Sequence, residues 1–157
     1  MRETVLCYIL RGDEVLMLHR VKKTQDANRE KWIGIGGGLE AGEVPREALL
    51  REAKEETGLT LTEYRYRGLI RFYSDRWEDE VMHLYTAEGF WGTLTECDEG
   101  VLEWLPRERL FALPMWAGDK IFLTLLFENA PVFALDLRYR GETLQEAVLN
   151  GARLQLS

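Results

Sequence analysis

The stretch GGLEAGEVPREALLREAKEETGL, residues 37–59, decides how this chain is read. From Val44 to Glu56 its pattern is helical. Pro45 suits a first turn, where its missing N–H costs nothing. Ala48, Leu49, Leu50 and Ala53 form a loose apolar stripe, and Thr57-Gly58 closes the segment with Gly58 as its C-terminal cap. On this helix Glu52, Glu55 and Glu56 stand at i, i+3 and i+4, within reach of one another on one face. Like charges at that spacing repel by roughly 0.2–0.5 kcal/mol per pair. Close to a helix C-terminus they also oppose the macrodipole. Hard divalent cations, which take carboxylate oxygens, would offset both effects. An isolated acidic run of this kind is a solvated helix face; the spacing of its neighbours argues for more.

Working outward, residues 4–11 and 14–20 are rich in strand formers and meet at Gly12-Asp13, so they read as a hairpin. Residues 21–31 are polar and read as a loop, and residues 32–35 form a short strand entering the glycines at 36, 37 and 38. Beyond the helix, residues 59–73 and 81–91 read as strands joined by a charged loop around residues 75–79. Residues 101–105 form a short strand, 106–111 a helical turn, 119–128 a helix and 131–140 a last strand. Strands mixed with two helices imply an α/β protein with a mixed sheet covered on both faces. With no repeat, low-complexity tract or linker, residues 1–157 read as one domain.

Composition narrows the function. The 157 residues are 46% apolar and 30% charged, with 20 Lys and Arg against 27 Asp and Glu, a net charge of −7. Mean hydropathy is −0.26. A disordered chain and a disulfide-stapled miniprotein are excluded. An acidic domain is a poor partner for polymeric nucleic acid or an anionic membrane, so any phosphate chemistry needs local cations. Cys7 and Cys97 lie far apart and read as buried, reduced thiols. Neither they nor His19 and His83 have zinc-site spacing. No leader sequence and no membrane span are expected, since no run approaches the ~18 apolar residues that a span needs. A cytoplasmic monomer is expected.

The central stretch fits the pattern G-x5-E-x7-R-E-U-x-E-E-x-G-U, with U apolar, through Gly37, Glu43, Arg51, Glu52, Ala53, Glu55, Glu56, Gly58 and Leu59. Over all starting points a chance match is on the order of one in 10⁵. The chain therefore resembles the Nudix hydrolases, and the resemblance implies the Nudix fold, a mixed β-sheet sandwiched between helices. It places the pattern as loop–helix–loop. It implies that Glu52, Glu55 and Glu56 bind Mg²⁺ or Mn²⁺, joined by a backbone carbonyl of the preceding glycines at Gly36. Arg51 and Glu43 are implied to orient the loop on the helix, with Gly37 and Gly58 as structural positions of the motif. The reaction implied is hydrolysis of a nucleoside diphosphate linked to another group.

Three further segments, KWIGIGGGLEAGE (residues 31–43), CDEGVLEWLP (97–106) and LPMWAGDKIF (113–122), resemble MutT- and MutX-type 8-oxo-dGTP diphosphatases. This likeness implies Glu99 as an additional metal ligand or general base; the alternative is a plain loop carboxylate. It implies Trp116 stacking on a purine and Asp119 bonding its edge, against a reading in which Trp116 is core and Asp119 caps the following helix. Phe72, Met82 and Ile33 resemble pocket walls, and Arg20, Lys22 and Lys23 are candidates for phosphate contact. Two positions depart from the pattern: Gly38 replaces a common lysine, and Ile33 stands where the animal enzymes carry a base-reading asparagine. The expected activity is metal-dependent cleavage of an oxidised purine deoxynucleoside triphosphate to monophosphate and pyrophosphate, which would sanitise the nucleotide pool for DNA repair. The alternatives are an ADP-ribose, dinucleoside polyphosphate or capped-RNA pyrophosphatase, and a nucleotide sensor that does not cleave.

Overall fold

The computed structural model describes residues 1–22 and 28–156. Its strands are β1 (Arg2–Arg11), β2 (Glu14–His19), β3 (Trp32–Ile33), β4 (Ile35–Gly38), β5 (Thr60–Ser74), β6 (Glu80–Trp91), β7 (Val101–Pro106), β8 (Phe133–Arg140), β9 (Thr143–Leu149) and β10 (Ala152–Arg153). The helices are α1 (Pro45–Thr57), α2 (Arg107–Leu110) and α3 (Ala117–Phe127). The sheet runs β10-β9-β8-β5-β6-β1-β2-β3, with β4 paired to β1 and β7 to β2. β1 pairs with β6 and β5 with β8 in parallel, and the other pairs are antiparallel, so the sheet is mixed.

β1 explains why both faces need helices. Val5, Cys7 and Ile9 join the cluster holding Ala48, Leu49 and Ala53 of α1. Tyr8 and Leu10 belong to the other cluster, with Phe122, Leu123 and Leu126 of α3. Each such aliphatic side chain contributes about 1.5–3 kcal/mol when fully buried, so β1 is stable only between two apolar layers. The protein is thus an α/β sandwich, as expected. Gly58 sits at φ +81° and donates its N–H to the Lys54 carbonyl, ending α1 in the left-handed conformation that favours glycine.

β1 also opens the site. One edge of it pairs with β2 over residues 9–11 and with β4 over residues 4–7. The sheet therefore forks, and β4 delivers its glycines next to α1.

Three expectations need correction. The glycines 36–38 are not a loop: they form β4 with Ile35, backbone-paired to β1. Helix α3 starts at Ala117 rather than Asp119, so Asp119 is its third residue and does not cap it. Ala-Gly reads as a break in sequence, but the Tyr139 hydroxyl accepts the Gly118 N–H at 2.7 Å and anchors the first turn. Finally, residues 131–140 are not the last strand, because β9 and β10 follow. Lys23 lies outside the described residues.

Candidate active site

The acidic helix is fixed by one arginine. Arg51 donates Nε and Nη2 to the two oxygens of Glu43, at 2.8 and 2.9 Å. It also donates to the Gly38 carbonyl at 3.0 Å, Glu52 at 2.9 Å and Glu55 at 3.2 Å. A planar guanidinium suits such bidentate pairing, and here it ties residues 38–43 to the face of α1. Hydrogen bonding from Arg51 holds the Glu43 carboxyl down at about 2, and Arg51 itself is pushed up.

A carboxyl depressed in the folded state stabilises it above the unfolded pKa and loses that contribution as pH falls through the folded one. The wild-type Tm is therefore expected to fall between about pH 4.5 and 2 through Glu43. In Glu43→Gln this component is absent; a melting series over that range checks it, and an unchanged slope contradicts it.

The glutamates divide by environment. Glu56 is 8% exposed, and its Oε1 accepts the Gly36 N–H at 3.2 Å. Burial pushes its carboxyl up to about 9, with Glu99 and Glu52 adding to the effect. Glu52 is also raised by burial, against the pull of Arg51. A Cβ at Gly37 would stand 2.6 Å from Glu52 Oε1, so a larger residue there would push the Glu52 carboxylate out of its place. Glu55 is more open, its side chain 59% exposed.

Glu99 arrives from the loop before β7. Oxygens of Glu56 and Glu99 and the Cys97 sulfur lie within 4.8 Å of one another. Burial raises the Cys97 thiol, which favours its neutral form, and both cysteines are free and buried. Arg20 pairs with Glu99 at 3.0 Å, and Lys22 donates to the Cys97 carbonyl at 2.8 Å. These two cations brace the loop carrying Glu99. The site thus crowds buried carboxylates that repel one another and offers hard oxygen donors, a set that fits Mg²⁺ or Mn²⁺. Glu52, Glu55, Glu56 and Glu99 would hold the ion, and the Gly36 backbone lies beside them.

A cleft of about 250 Å³ runs from this cluster to a second one. Gly36, Gly37, Arg20 and Glu99 line one end. Trp116, Asp119, Phe72, Met82 and Ile33 also line it, so the residues singled out for base binding share one cleft. Trp116 is 7% exposed. Phe72, Trp77 and Tyr139 meet it edge-on, at 5.8, 5.4 and 5.0 Å between centroids. Its indole N–H donates to Asn28 at 2.7 Å, and the Lys31 ammonium stands 4.6 Å from its ring centroid while also pairing with Glu142. Asp119 is 9% exposed, and burial lifts its carboxyl to about 8, with Glu80 adding and Lys31 opposing.

Sequence reasoning missed Trp77, Glu80 and Tyr139. Glu80 accepts the Thr4 hydroxyl at 2.9 Å and brings a second acid to the wall of Asp119. A lone Trp inside the charged run DRWEDE was the available signal for Trp77. The alternation of Phe133, Leu135, Leu137 and Tyr139 was the signal for Tyr139.

Comparison with known proteins agrees with this geometry. The family profile of the NUDIX domain matches residues 1–126. The chain belongs to the Nudix family and is a hydrolase acting on pyrophosphate bonds. It is 30% identical over 128 residues to the uncharacterised Nudix hydrolase YvcI of Bacillus subtilis (strain 168), covering 78% of this chain and 77% of that one. It is 31% identical over 100 residues to the oxidised purine nucleoside triphosphate hydrolase of Danio rerio, covering 63% of this chain and 64% of that enzyme, just under two thirds of its length. The crystal structure of a MutT mutator protein from Bacillus halodurans superposes with a TM-score of 0.85 at 25% identity, over 96% of this chain and 98% of that one. Enzymes of this family generally need a divalent metal. Among the described residues no helix is long and apolar enough to cross a membrane.

Proposed function

We propose that this protein hydrolyses a purine nucleoside triphosphate, oxidised guanine nucleotides foremost, to the monophosphate and pyrophosphate. The carrying observation is the cleft that runs from Glu99, Gly36 and Gly37, beside the carboxylates of α1, to Trp116 and Asp119. At about 250 Å³ it is slightly smaller than the ~300–1,000 Å³ of most ligand pockets. That size suits a base at the aromatic end, with the phosphates lying along Gly36 and Gly37 towards the acidic helix.

Glu52, Glu55 and Glu56 would hold a divalent cation, which would supply charge neutralisation at the phosphate oxygens and a lowered pKa for a bound water. The chain's own residues do the positioning. Arg51 keeps the acidic face in register with residues 38–43. Trp116 offers its ring to the base, which displaces the Lys31 ammonium from it. Asp119, held largely protonated by burial, donates one hydrogen bond to the base edge and accepts another. Glu99 serves as an additional oxygen ligand or as the base that receives the proton of the attacking water. Glu99→Gln separates these roles: a ligand's loss raises the metal concentration needed, and a base's loss lowers kcat at saturating metal.

Product analysis tests the reaction. Nucleoside monophosphate and pyrophosphate in equal amounts, formed only with divalent metal, are the expected result. Diphosphate with inorganic phosphate, or no cleavage, contradicts it. The name of the Danio rerio relative supports the oxidised purine, as does the acid pair of Asp119 and Glu80 in the cleft. We place the protein in the cytoplasm as a monomer of one domain, acting on a small molecule.

A further inference from the structure

The second end of the face that α3 covers carries a cavity the hydrolytic reaction does not use. Its volume is about 350 Å³, and it shares no lining residue with the catalytic cleft. Thr4 and Leu6 of β1 line the cleft, whereas Tyr8 and Leu10 of the same strand line this cavity. Three arginines close it: Arg65 and Arg67 from β5 and Arg107 from the start of α2.

Arg67 is the unusual member. It is 5% exposed, yet its hydrogen bonds go to neutral acceptors: the Thr86 hydroxyl at 3.2 Å, and the Leu126 carbonyl and Asn129 side chain, each at 3.4 Å. Arg65 also donates to Asn129, at 3.0 Å, and adds its own positive charge. Among the described residues none of the three guanidinium groups is ion-paired within 4.0 Å. Glu88, at the exposed edge of the cavity, is the carboxylate that acts on Arg67 through space.

A further polar atom of this lining, Arg107 Nε, is buried without any hydrogen-bond partner. Arg107 is half-buried overall, with its guanidinium 4.9 Å from the Phe127 ring centroid. Capping the C-terminus of α3 accounts for the bond from Arg67 to Leu126. It does not account for the orphaned Arg107 Nε. A buried ionised group with only neutral partners is costly, and an unmet buried donor costs on its own account. An anion with several acceptor oxygens relieves both at once, and guanidinium forks match its geometry.

We infer that this cavity is an anion site for a phosphate-class oxyanion, either inorganic phosphate or the phosphate of a nucleotide, gripped by Arg67, Arg107 and Arg65. The site stands whether or not the substrate assigned above is right.

The test is a titration of the whole protein with inorganic phosphate, and separately with a purine nucleoside monophosphate, at constant ionic strength set by chloride. Backbone amide signals of Thr86, Arg107 and Asn129 report this cavity, and those of Gly36 and Gly37 report the cleft. Phosphate is expected to move the first group saturably where chloride does not. Arg107→Gln is expected to weaken that binding by about tenfold or more, with kcat/KM for hydrolysis unchanged. Tighter binding of the monophosphate at the same signals assigns the ligand to a nucleotide; weaker binding assigns it to free phosphate. The inference is overturned if these signals stay still, if chloride moves them equally, or if Arg107→Gln binds phosphate like the wild type.

Discussion

Replacing Glu56 with glutamine is expected to lower kcat by about a thousandfold at saturating metal, with the fold intact. Glu56 is the most buried of the α1 glutamates, and its carboxylate faces both the Gly36 backbone and Glu99. Glutamine keeps the shape and can still accept the Gly36 N–H, so the loss is that of a charged oxygen. Glu55→Gln, at a more exposed position tethered by Arg51, is expected to be the milder of the two. Stability moves the other way. In the metal-free protein the substitution removes an acid whose burial beside Glu99 and Glu52 opposes ionisation. Its Tm without metal is thus expected to hold or rise, and metal is expected to raise it by less than in the wild type. Turnover within about tenfold of the wild type would remove the acidic helix from the reaction.

The second large effect is at the other end of the cleft. Asp119→Ala is expected to reduce kcat/KM for a purine triphosphate by about a hundredfold, chiefly through KM. Asp119→Asn is expected to retain more activity than the alanine variant. With its pKa at about 8 the carboxyl is mostly protonated at neutral pH, a donor and acceptor together, and an amide reproduces both. The same group gives a signature without substrate. Because its folded pKa stands above the ordinary 3.8, the fold is most stable below pH 3.8 on this account and loses stability as pH rises towards 8. Asp119→Ala removes that slope. Equal KM values for the alanine variant and the wild type would put the base elsewhere.

The acidic helix was legible because its geometry is local. Pro45, the Ala48–Leu49–Ala53 stripe and Gly58 fix its ends and its face within 14 residues of sequence, and the structure keeps each of them in that role. The base wall was half legible. Trp116 and Asp119 sit in a segment whose spacing carries a resemblance, whereas Trp77, Glu80 and Tyr139 come from β6, β8 and a loop and meet only through strand order. Helix α3 began two residues early because a tertiary hydrogen bond from Gly118 to Tyr139 overrides the local weakness of Ala-Gly. The hairpin of β9 and β10 was missed although Asn150-Gly151 is a strong turn signal, and both residues do take positive φ, 50° and 85°. Along β9 only Ala147 is fully buried, so alternation there is too faint to read.

The central claim is that one cleft couples the metal helix to a purine pocket, and kcat/KM over a substrate panel tests it most directly. The panel with Mg²⁺ contains 8-oxo-dGTP, dGTP, dATP, ADP-ribose and a dinucleoside tetraphosphate. The purine triphosphates, led by 8-oxo-dGTP, are expected to exceed ADP-ribose and the dinucleotide by about tenfold or more. A preference for ADP-ribose or the dinucleotide would contradict the purine pocket at Trp116 and Asp119, while leaving the acidic helix in place.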